Sequence, residues 1–253
     1  MPGLWVHWTD IGVCPYKNVE ARVQFRHDEA IWREFPELVP GVMHVEGIRP
    51  DVNVDALIAK YEAVARERLA GTTESGLPEI QAWRRAFSKM GLKPTQYRCA
   101  SEALLRRFRK EDSLPRLHPL IDLCNAISLA FAIPIAVFDT ANIDGDLVVR
   151  HATGDETYET FSGEIEHPEP GEVIFADAAN RVHARRWTNR QSGSSAVRDD
   201  TASVLIVTEA LHDTAEDDMR RLLTALWQAT GSTWGSAGDG RILTVEAPVY
   251  EIA

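Results

Sequence analysis

The stretch LHPLIDLCNAISLAFAIPIAVFD, residues 117–139, joins a helix pattern directly to a strand pattern. Pro119 suits the first position of a helix, and apolar residues recur behind it at the spacing of one buried helix face. That face consists of Leu120, Leu123, Cys124, Ile127 and Phe131. After Pro134 the β-branched and aromatic content of residues 135–139 predicts a strand. The chain is therefore expected to change here from a mainly helical pattern to a pattern of mainly short strands.

Two polar residues lie on the ridge beside this buried face. Asn125 and Ser128 follow Ile121 at spacings of four and three, so an amide and a hydroxyl lie at the edge of an apolar surface. Buried polar groups need hydrogen-bond partners, which either the protein or a ligand can supply. Asn125 is therefore a candidate site residue.

Outward from this stretch, helix patterns dominate the front of the chain and strand patterns dominate the rest. Helices are predicted over residues 28–35 with Asp28 as N-cap, 54–71, 78–91, from Ser101 as N-cap onward, and 215–229. Strands are predicted at residues 6–13, 20–25, 42–47, 147–152, 158–161, 172–176, 182–187, 203–207 and 241–249. Short strands separated by turn residues are typical of an antiparallel sheet or barrel.

Composition places the 253-residue chain among ordinary globular proteins and excludes several classes. No basic leader or long apolar run indicates export or a membrane span. The three cysteines, Cys14, Cys99 and Cys124, have no CxxC spacing, so neither a disulfide framework nor a zinc knuckle is indicated. The eight histidines show no metal-ligand spacing. We expect a cytoplasmic protein without metal or cofactor.

The charge is distributed unevenly. The net charge of −11 argues against nucleic acid, because phosphate binding depends on Lys and Arg. Residues 84–116, however, contain ten basic residues and three acids. A basic segment on an acidic body could dock a polyanion locally, or it could consist of two solvated helix faces. Composition does not separate these interpretations.

Residues 185–192, RRWTNRQS, have the most unusual local composition of the chain. Guanidinium groups, amides, a hydroxyl and an indole follow a predicted strand, and this set suits recognition of an ester, an amine or a phosphodiester. We favour a binding loop over an exposed polar loop. The usual nucleotide, protease and hydrolase motifs are absent from the sequence.

Several motifs in order resemble one known family, the B3/4 domain of the phenylalanyl-tRNA synthetase beta subunit. The motifs are residues 117–125, residues 134–139, residues 146–150, residues 173–177, and Ser195, Val197 and Thr201 before residues 204–207. The front of the chain is more similar to stand-alone members. The resemblance implies an α+β fold, with a mixed or antiparallel sheet or wide barrel flanked by helices. It also implies hydrolysis of the ester that joins a wrong amino acid to the 3′ end of a tRNA.

On this resemblance we predict a single B3/4-type domain over residues 1–253. It comprises a helical front part, residues 1–92, a motif region, residues 93–210, and a C-terminal helix and strand, residues 211–253. Two departures bear on mechanism: Ala136 stands where the family has histidine in Pro-x-His-x-Phe-Asp, and no acid occurs between Gln191 and Ala196. Hydrolysis would then depend on other residues, a positioned water and oxyanion donors.

The candidate residues follow from the motifs and the basic segment. Catalytic candidates are Asn125, Asn189 and Arg190. Candidates for substrate binding are Ser101, Glu102, Cys124, Asn125, Ala136, Arg186, Trp187 and Gln191. Candidates for RNA binding are Arg84, Arg85, Lys89, Lys93, Arg106 and Arg107.

We expect the tRNA 3′ aminoacyl end as partner and an association with the translation machinery. The pocket is expected between the Asn125 helix end, the Ala136 strand and residues 186–191. One alternative is a non-catalytic tRNA-, RNA- or small-ligand-binding module of the same fold. Another is a structural partner of a synthetase or other translation protein.

Overall fold

The computed structural model describes residues 23–235 and 238–252. The helices are α1 Glu29–Glu34, α2 Asp55–Ala70, α3 Pro78–Lys89, α4 Ala100–Glu111, α5 Pro119–Phe131 and α6 Ala215–Trp234. The strands are β1 Gln24–His27, β2 Val39–Glu46, β3 Ile135–Asp139, β4 Leu147–His151, β5 Thr157–Glu159, β6 Ile165–Glu166, β7 Val173–Ala176, β8 Arg181–Arg185, β9 Arg190–Gln191, β10 Ser203–Ala210, β11 Arg241–Ile242 and β12 Val249–Glu251. The strand predicted at residues 6–13 lies outside the described residues.

The strands form two separate sheets. The larger sheet has eight strands in the order β12-β1-β4-β7-β8-β5-β6, with β9 paired to β8. It is mixed, because β1 runs parallel to β4 and β5 runs parallel to β8. The smaller sheet is antiparallel, in the order β11-β2-β10-β3. The predicted α+β fold with a mixed sheet and flanking helices is confirmed.

Strand β10 separates the two main hydrophobic cores. Leu205 and Val207 belong to the core that also contains residues of the larger sheet and of α1, α3 and α4. Val204 and Ile206 belong to the core that contains the buried faces of α2, α5 and α6. Alternate residues of a strand point to opposite faces, so β10 must be apolar on both.

Local signals explain where the helices begin and end. The Asp28 side chain accepts a hydrogen bond from the Ala30 N–H at 2.9 Å, which caps α1 as predicted. His118 caps α5 in the same way through Nδ1 and the Leu120 N–H, ahead of Pro119 at the first helical position. Ala132, with a left-handed φ of 57°, ends α5.

Three predictions of local structure were wrong. Helix α4 begins at Ala100 rather than after Ser101, because the Ala100 N–H bonds to the Thr188 carbonyl oxygen, which fixes the chain entering the helix. The tail forms β11 and β12 in place of one strand over residues 241–249, since reciprocal backbone hydrogen bonds between Thr244 and Ala247 make a turn there. Residues 190–191 form β9 within the stretch predicted as a loop.

The predicted division into a front part and a motif region stays a prediction. Trp83 of α3 nevertheless packs edge-on against Trp187, with ring centroids 5.0 Å apart. Phe35 contacts the same indole at 4.7 Å. Residues on both sides of the predicted seam near Leu92 thus share one core. No helix among the described residues is long and apolar enough to cross a membrane.

We predict that Gly41→Ala destabilises the fold by about 1–3 kcal/mol, the usual cost of overpacking. A Cβ at position 41 would lie 2.5 Å from Sδ of the buried Met219 and 3.0 Å from Cγ2 of Thr208. The control is Gly71→Ala, where a Cβ meets nothing within 4 Å. Urea unfolding measures both variants, and an unchanged midpoint for Gly41→Ala would contradict the packing of α6 on β2.

Candidate functional site

A small cleft, with a cavity volume of about 60 Å³, opens between the two sheets. One wall is the start of β3, from Pro134 to Ala136, together with Val207 and Glu209 of β10. The other wall is Phe175 and Ala184 of the larger sheet. Trp187, Thr188, Asn189, Arg190 and Gln191 form the rim, together with Ala100 at the start of α4. Mostly apolar walls with a few polar groups are typical of a small-molecule site.

The rim turn between β8 and β9, residues 186–189, has a strained backbone. Arg186 and Trp187 both adopt left-handed φ angles, 47° and 59°, which are rare for bulky residues. Such strain costs on the order of 1–3 kcal/mol per residue and persists only where neighbouring structure imposes it. Here the Trp187 N–H donates to the Val173 carbonyl at 2.7 Å and the Arg186 N–H donates to Glu172 at 3.0 Å.

The same turn is tied to the segment that leads into α4. The Thr188 carbonyl accepts the Ala100 N–H at 2.8 Å, and the Asn189 amide nitrogen donates to the Arg98 carbonyl at 2.7 Å. On the opposite side, the Gln191 amide donates to the Val137 carbonyl at 2.6 Å. The rim is therefore held against both sheets. Thr188 Oγ1 is buried with no hydrogen-bond partner among the described residues.

Glu209 places a carboxylate in the apolar part of the cleft. The residue is 1% exposed, and its Oε1 accepts the Trp187 indole N–H at 2.8 Å. The same oxygen lies 2.6 Å from Nε2 of His27, which is also buried. Because both bonds end on Oε1, they fix the orientation of the carboxylate and leave Oε2 without either bond.

The structure brings five of the predicted site residues together. Ala136, Trp187, Asn189, Arg190 and Gln191 all line the cleft. Of these, Arg190 pairs with Glu166 at 3.1 Å and lies over the Tyr158 ring, 5.3 Å from its centroid. The rim predicted from residues 186–191 and the Ala136 strand thus do face each other.

The family comparison agrees with this geometry. The model of the B3/4 domain family matches residues 82–223, more than half of the chain. The chain belongs to the B3/4 domain family. The matched region contains β3, β7, β8, β9 and β10, so it includes every strand that lines the cleft.

This B3/4 domain was also compared with individual proteins. No curated protein matches it. Among solved structures it is similar to an N-terminal fragment of the phenylalanyl-tRNA synthetase beta subunit from Pyrococcus horikoshii, with a TM-score of 0.42 and 13% identity. The match covers 91% of this chain and 53% of that fragment, so the chain spans about half the length of the structure it matches.

The other predicted substrate residues lie away from the cleft of this B3/4 domain. Asn125 is half-buried within α5, and Cys124 belongs to the core around that helix. Ser101 and Glu102 are buried in α4, where Glu102 binds Arg84 at 2.7 Å. Asn125 does not line this cleft, because α5 packs on the opposite face of the smaller sheet, and its role in substrate binding stays a prediction.

Arg186, the last of the predicted substrate-binding residues, also lies outside the cleft. Its guanidinium lies over the Tyr97 ring, 4.9 Å from the centroid, and 3.9 Å from Glu172. The left-handed φ of 47° turns this side chain away while the next residue, Trp187, enters the core. Arg186 therefore stabilises the turn from outside.

Many side chains of the basic segment are compensated by acids. Arg84 and Arg98 both pair with Glu102, Arg107 pairs with Glu111, Arg109 with Glu74, and Arg116 with Asp55 and Asp122. Lys89 contacts the Glu34 carbonyl and the Phe35 ring. Four exposed residues form no ion pair within the described part of the chain: Arg85, Lys93, Arg106 and Lys110. The positive charge of these four is therefore the part of the basic segment that no acid within 4 Å compensates in the described structure.

Sequence reasoning missed Glu209, His27 and Thr188. The available signal was the acid at position 209, which follows four consecutive apolar residues and one threonine, just after the strand predicted at residues 203–207. His27 gave no signal, because its partner lies 182 positions away. Pairings at this range depend on the fold.

One cluster in the described structure has the residue types of a metal site. Ligand atoms of Glu79, His212 and Asp218 lie within 4.8 Å of one another, and none of these residues lines the cleft. Glu79 already binds Arg68 at 2.6 Å, and Asp218 binds His212 at 2.8 Å. That the activity requires no metal remains a prediction.

We predict that neither Cys99 nor Cys124 reacts with iodoacetamide in the native protein. Burial raises the pKa of both thiols to about 12, and only the thiolate is an effective nucleophile. Mass spectrometry of a Cys14→Ser variant measures alkylation in mildly alkaline buffer, with urea-unfolded protein as the positive control. Rapid native labelling of Cys124 would show that it faces an accessible site.

Proposed function

We propose that this B3/4 domain hydrolyses the ester of mischarged aminoacyl-tRNA in trans, in the cytoplasm. The observation that supports this most directly is the cleft between the sheets, which combines apolar walls with a carboxylate at Glu209 and rim donors at residues 188–190. An aminoacyl ester has the matching parts: a side chain, an ammonium group and a carbonyl that becomes an oxyanion. Family membership supports the same proposal.

The proposed chemistry uses few groups. A water oxygen attacks the ester carbonyl carbon, the bond to the ribose oxygen breaks, and a proton from the water passes to that oxygen, which gives a free amino acid and an intact tRNA. Donors near the developing oxyanion are the main requirement. Arg190 lines the cleft, and the Thr188 hydroxyl has no partner among the described residues, so these two are our candidate donors.

The exposed basic residues lie where the acceptor strand would leave the cleft. Helix α4 starts at the rim with Ala100, and Arg106 and Lys110 follow along it. At a rise of about 1.5 Å per residue, these side chains begin roughly 9 Å and 15 Å from the rim. That span matches a few nucleotides of a single strand, so α4 would guide the 3′ end into the cleft.

We predict deacylation of at least one misacylated tRNA at about 10³-fold or more above the spontaneous rate, so that the loss of one oxyanion donor can be measured. In that reaction Arg190→Ala should lower kcat by about 10²-fold, the typical cost of one lost oxyanion donor, with little change in tRNA affinity. The matched control is Arg220→Ala on α6, an exposed arginine outside the cleft. A full panel of misacylated tRNAs without acceleration would refute the enzymatic proposal.

We predict that Arg106→Glu combined with Lys110→Glu weakens tRNA binding. The slope of log affinity against log salt should fall by about 0.7–0.9 for each phosphate contact removed. Filter binding over a salt series measures this, with Arg220→Glu as the control for an exposed arginine on another helix. Equal slopes for the double variant and the wild type would show that α4 does not meet the phosphates.

A second candidate is a binding module without catalysis. Ala136 lines the cleft where the resemblance expects histidine, and the amide nitrogens of Asn189 and Gln191 already bind backbone carbonyls. Fewer polar groups of the site are therefore free to bind a ligand than its composition suggests. Binding of tRNA or of an aminoacyl ligand with no ester loss would favour this candidate.

A further inference from the structure

We infer that the Glu209 carboxylate binds the α-ammonium group of the ligand, so that this site selects acyl groups with a free α-amino group. The inference rests on the proposed function for the identity of the ligand as an aminoacyl group. It names a recognition residue that the motif resemblance does not include.

The hydrogen bonds around Glu209 end on one of its two carboxylate oxygens. His27 Nε2 lies 2.6 Å from Oε1, and the Trp187 indole N–H donates to the same oxygen at 2.8 Å. Neither bond involves Oε2, so this oxygen can accept a hydrogen bond from a ligand.

The described structure offers this carboxylate no lysine or arginine. Within residues 23–235 and 238–252 the only ion-pair partner of Glu209 is His27. The arginine that lines the same cleft, Arg190, pairs with Glu166 instead. Buried charges are normally paired, and an uncompensated one is costly. A cationic ligand would supply the missing charge.

The position of Glu209 suits an ammonium group that is attached to a reacting ester. Val207 lies opposite Ala136 in the pairing of β10 with β3, and Glu209 is the next residue on the same face. Its Cβ is therefore a diagonal neighbour of Ala136, about 7–8 Å away. Only the α-carbon separates an ammonium nitrogen from the ester carbonyl carbon, so the carbonyl would lie between Glu209 and Ala136, facing the rim.

Apolar neighbours make this recognition selective. Phe175, Ala184 and Val207 line the cleft beside the carboxylate and lower the local dielectric, which strengthens an ion pair. The two bonds to Oε1 fix the carboxylate before the ligand arrives. An N-acylated amino acid loses the positive charge and adds bulk at the same point. It should therefore bind poorly.

The test uses non-hydrolysable 3′-aminoacylamino-3′-deoxyadenosine probes that carry alanine, leucine or phenylalanine, each with a free or an N-acetylated amine. Calorimetry on the full chain should show that acetylation weakens binding of the preferred probe by at least about tenfold. Glu209→Gln should reduce that ratio to near one, while Glu209→Asp, which keeps the charge, should retain most of it. Glu74→Gln, a buried acid outside the cleft, is the matched control and should keep the full ratio.

The outcomes separate this inference from the proposed function, because binding requires no turnover. Preference for free amines that is lost in Glu209→Gln supports the inference, whether or not deacylation occurs. Deacylation by a protein that binds free and acetylated probes equally overturns the inference alone. No binding of any probe by the wild type also overturns it. Unchanged unfolding midpoints of the variants confirm that the comparison is between folded proteins.

Discussion

Strand β10 is buried on both faces, and the packing of the whole structure depends on this. It pairs with β2 along all eight of its residues and with β3 along five. Its alternate side chains supply two different cores, one against the larger sheet and one against α5 and α6. Any polar side chain in this strand must therefore find its partners inside the protein or in a ligand.

Two neighbouring polar residues of β10 differ in how far the protein itself satisfies their hydrogen bonds. Thr208 donates to the Pro134 carbonyl at 2.9 Å, so its hydroxyl is satisfied by the neighbouring strand. Glu209 is satisfied only in part, through one oxygen, by a histidine and an indole. The first contact secures the start of β3, and the second creates the polar centre of the cleft. Structural and functional demands on one strand are thus met by adjacent residues on opposite faces.

The motif residues that identify the family are mainly structural. Asp139 accepts hydrogen bonds from the Ala141 N–H at 3.0 Å and from the Thr201 hydroxyl at 2.8 Å, which joins the end of β3 to the approach to β10. Burial raises the pKa of Asp177, but hydrogen bonds from His183 and from the Arg181 and Asp144 N–H groups outweigh this and hold that pKa well below the ordinary value. In this chain Asp139 and Asp177 therefore have structural roles, whatever chemistry the cleft performs.

The difference between residues that maintain the fold and residues that line the cleft explains how much could be predicted from the sequence. Periodicity placed α2, α3 and α5 and most strands within a few residues, because burial of one face leaves a regular pattern. It could not place Asn125, since periodicity defines a face but not the element that covers it. Nor could it show that Arg84 is paired with Glu102, because ion pairs between helices depend on the tertiary fold. The basic segment therefore seemed more available for binding than it is.

Charge is arranged differently at the cleft and along the helix that leaves it. The cleft holds a carboxylate with no lysine or arginine partner among the described residues, whereas α4 carries exposed Arg106 and Lys110. A ligand that matches both must be cationic at one end and polyanionic beyond it. An aminoacylated tRNA carries its charges in this order, with an ammonium group at the aminoacyl end and phosphates after the terminal ribose. Free tRNA lacks the first part and a free amino acid lacks the second, so each should satisfy only part of the surface.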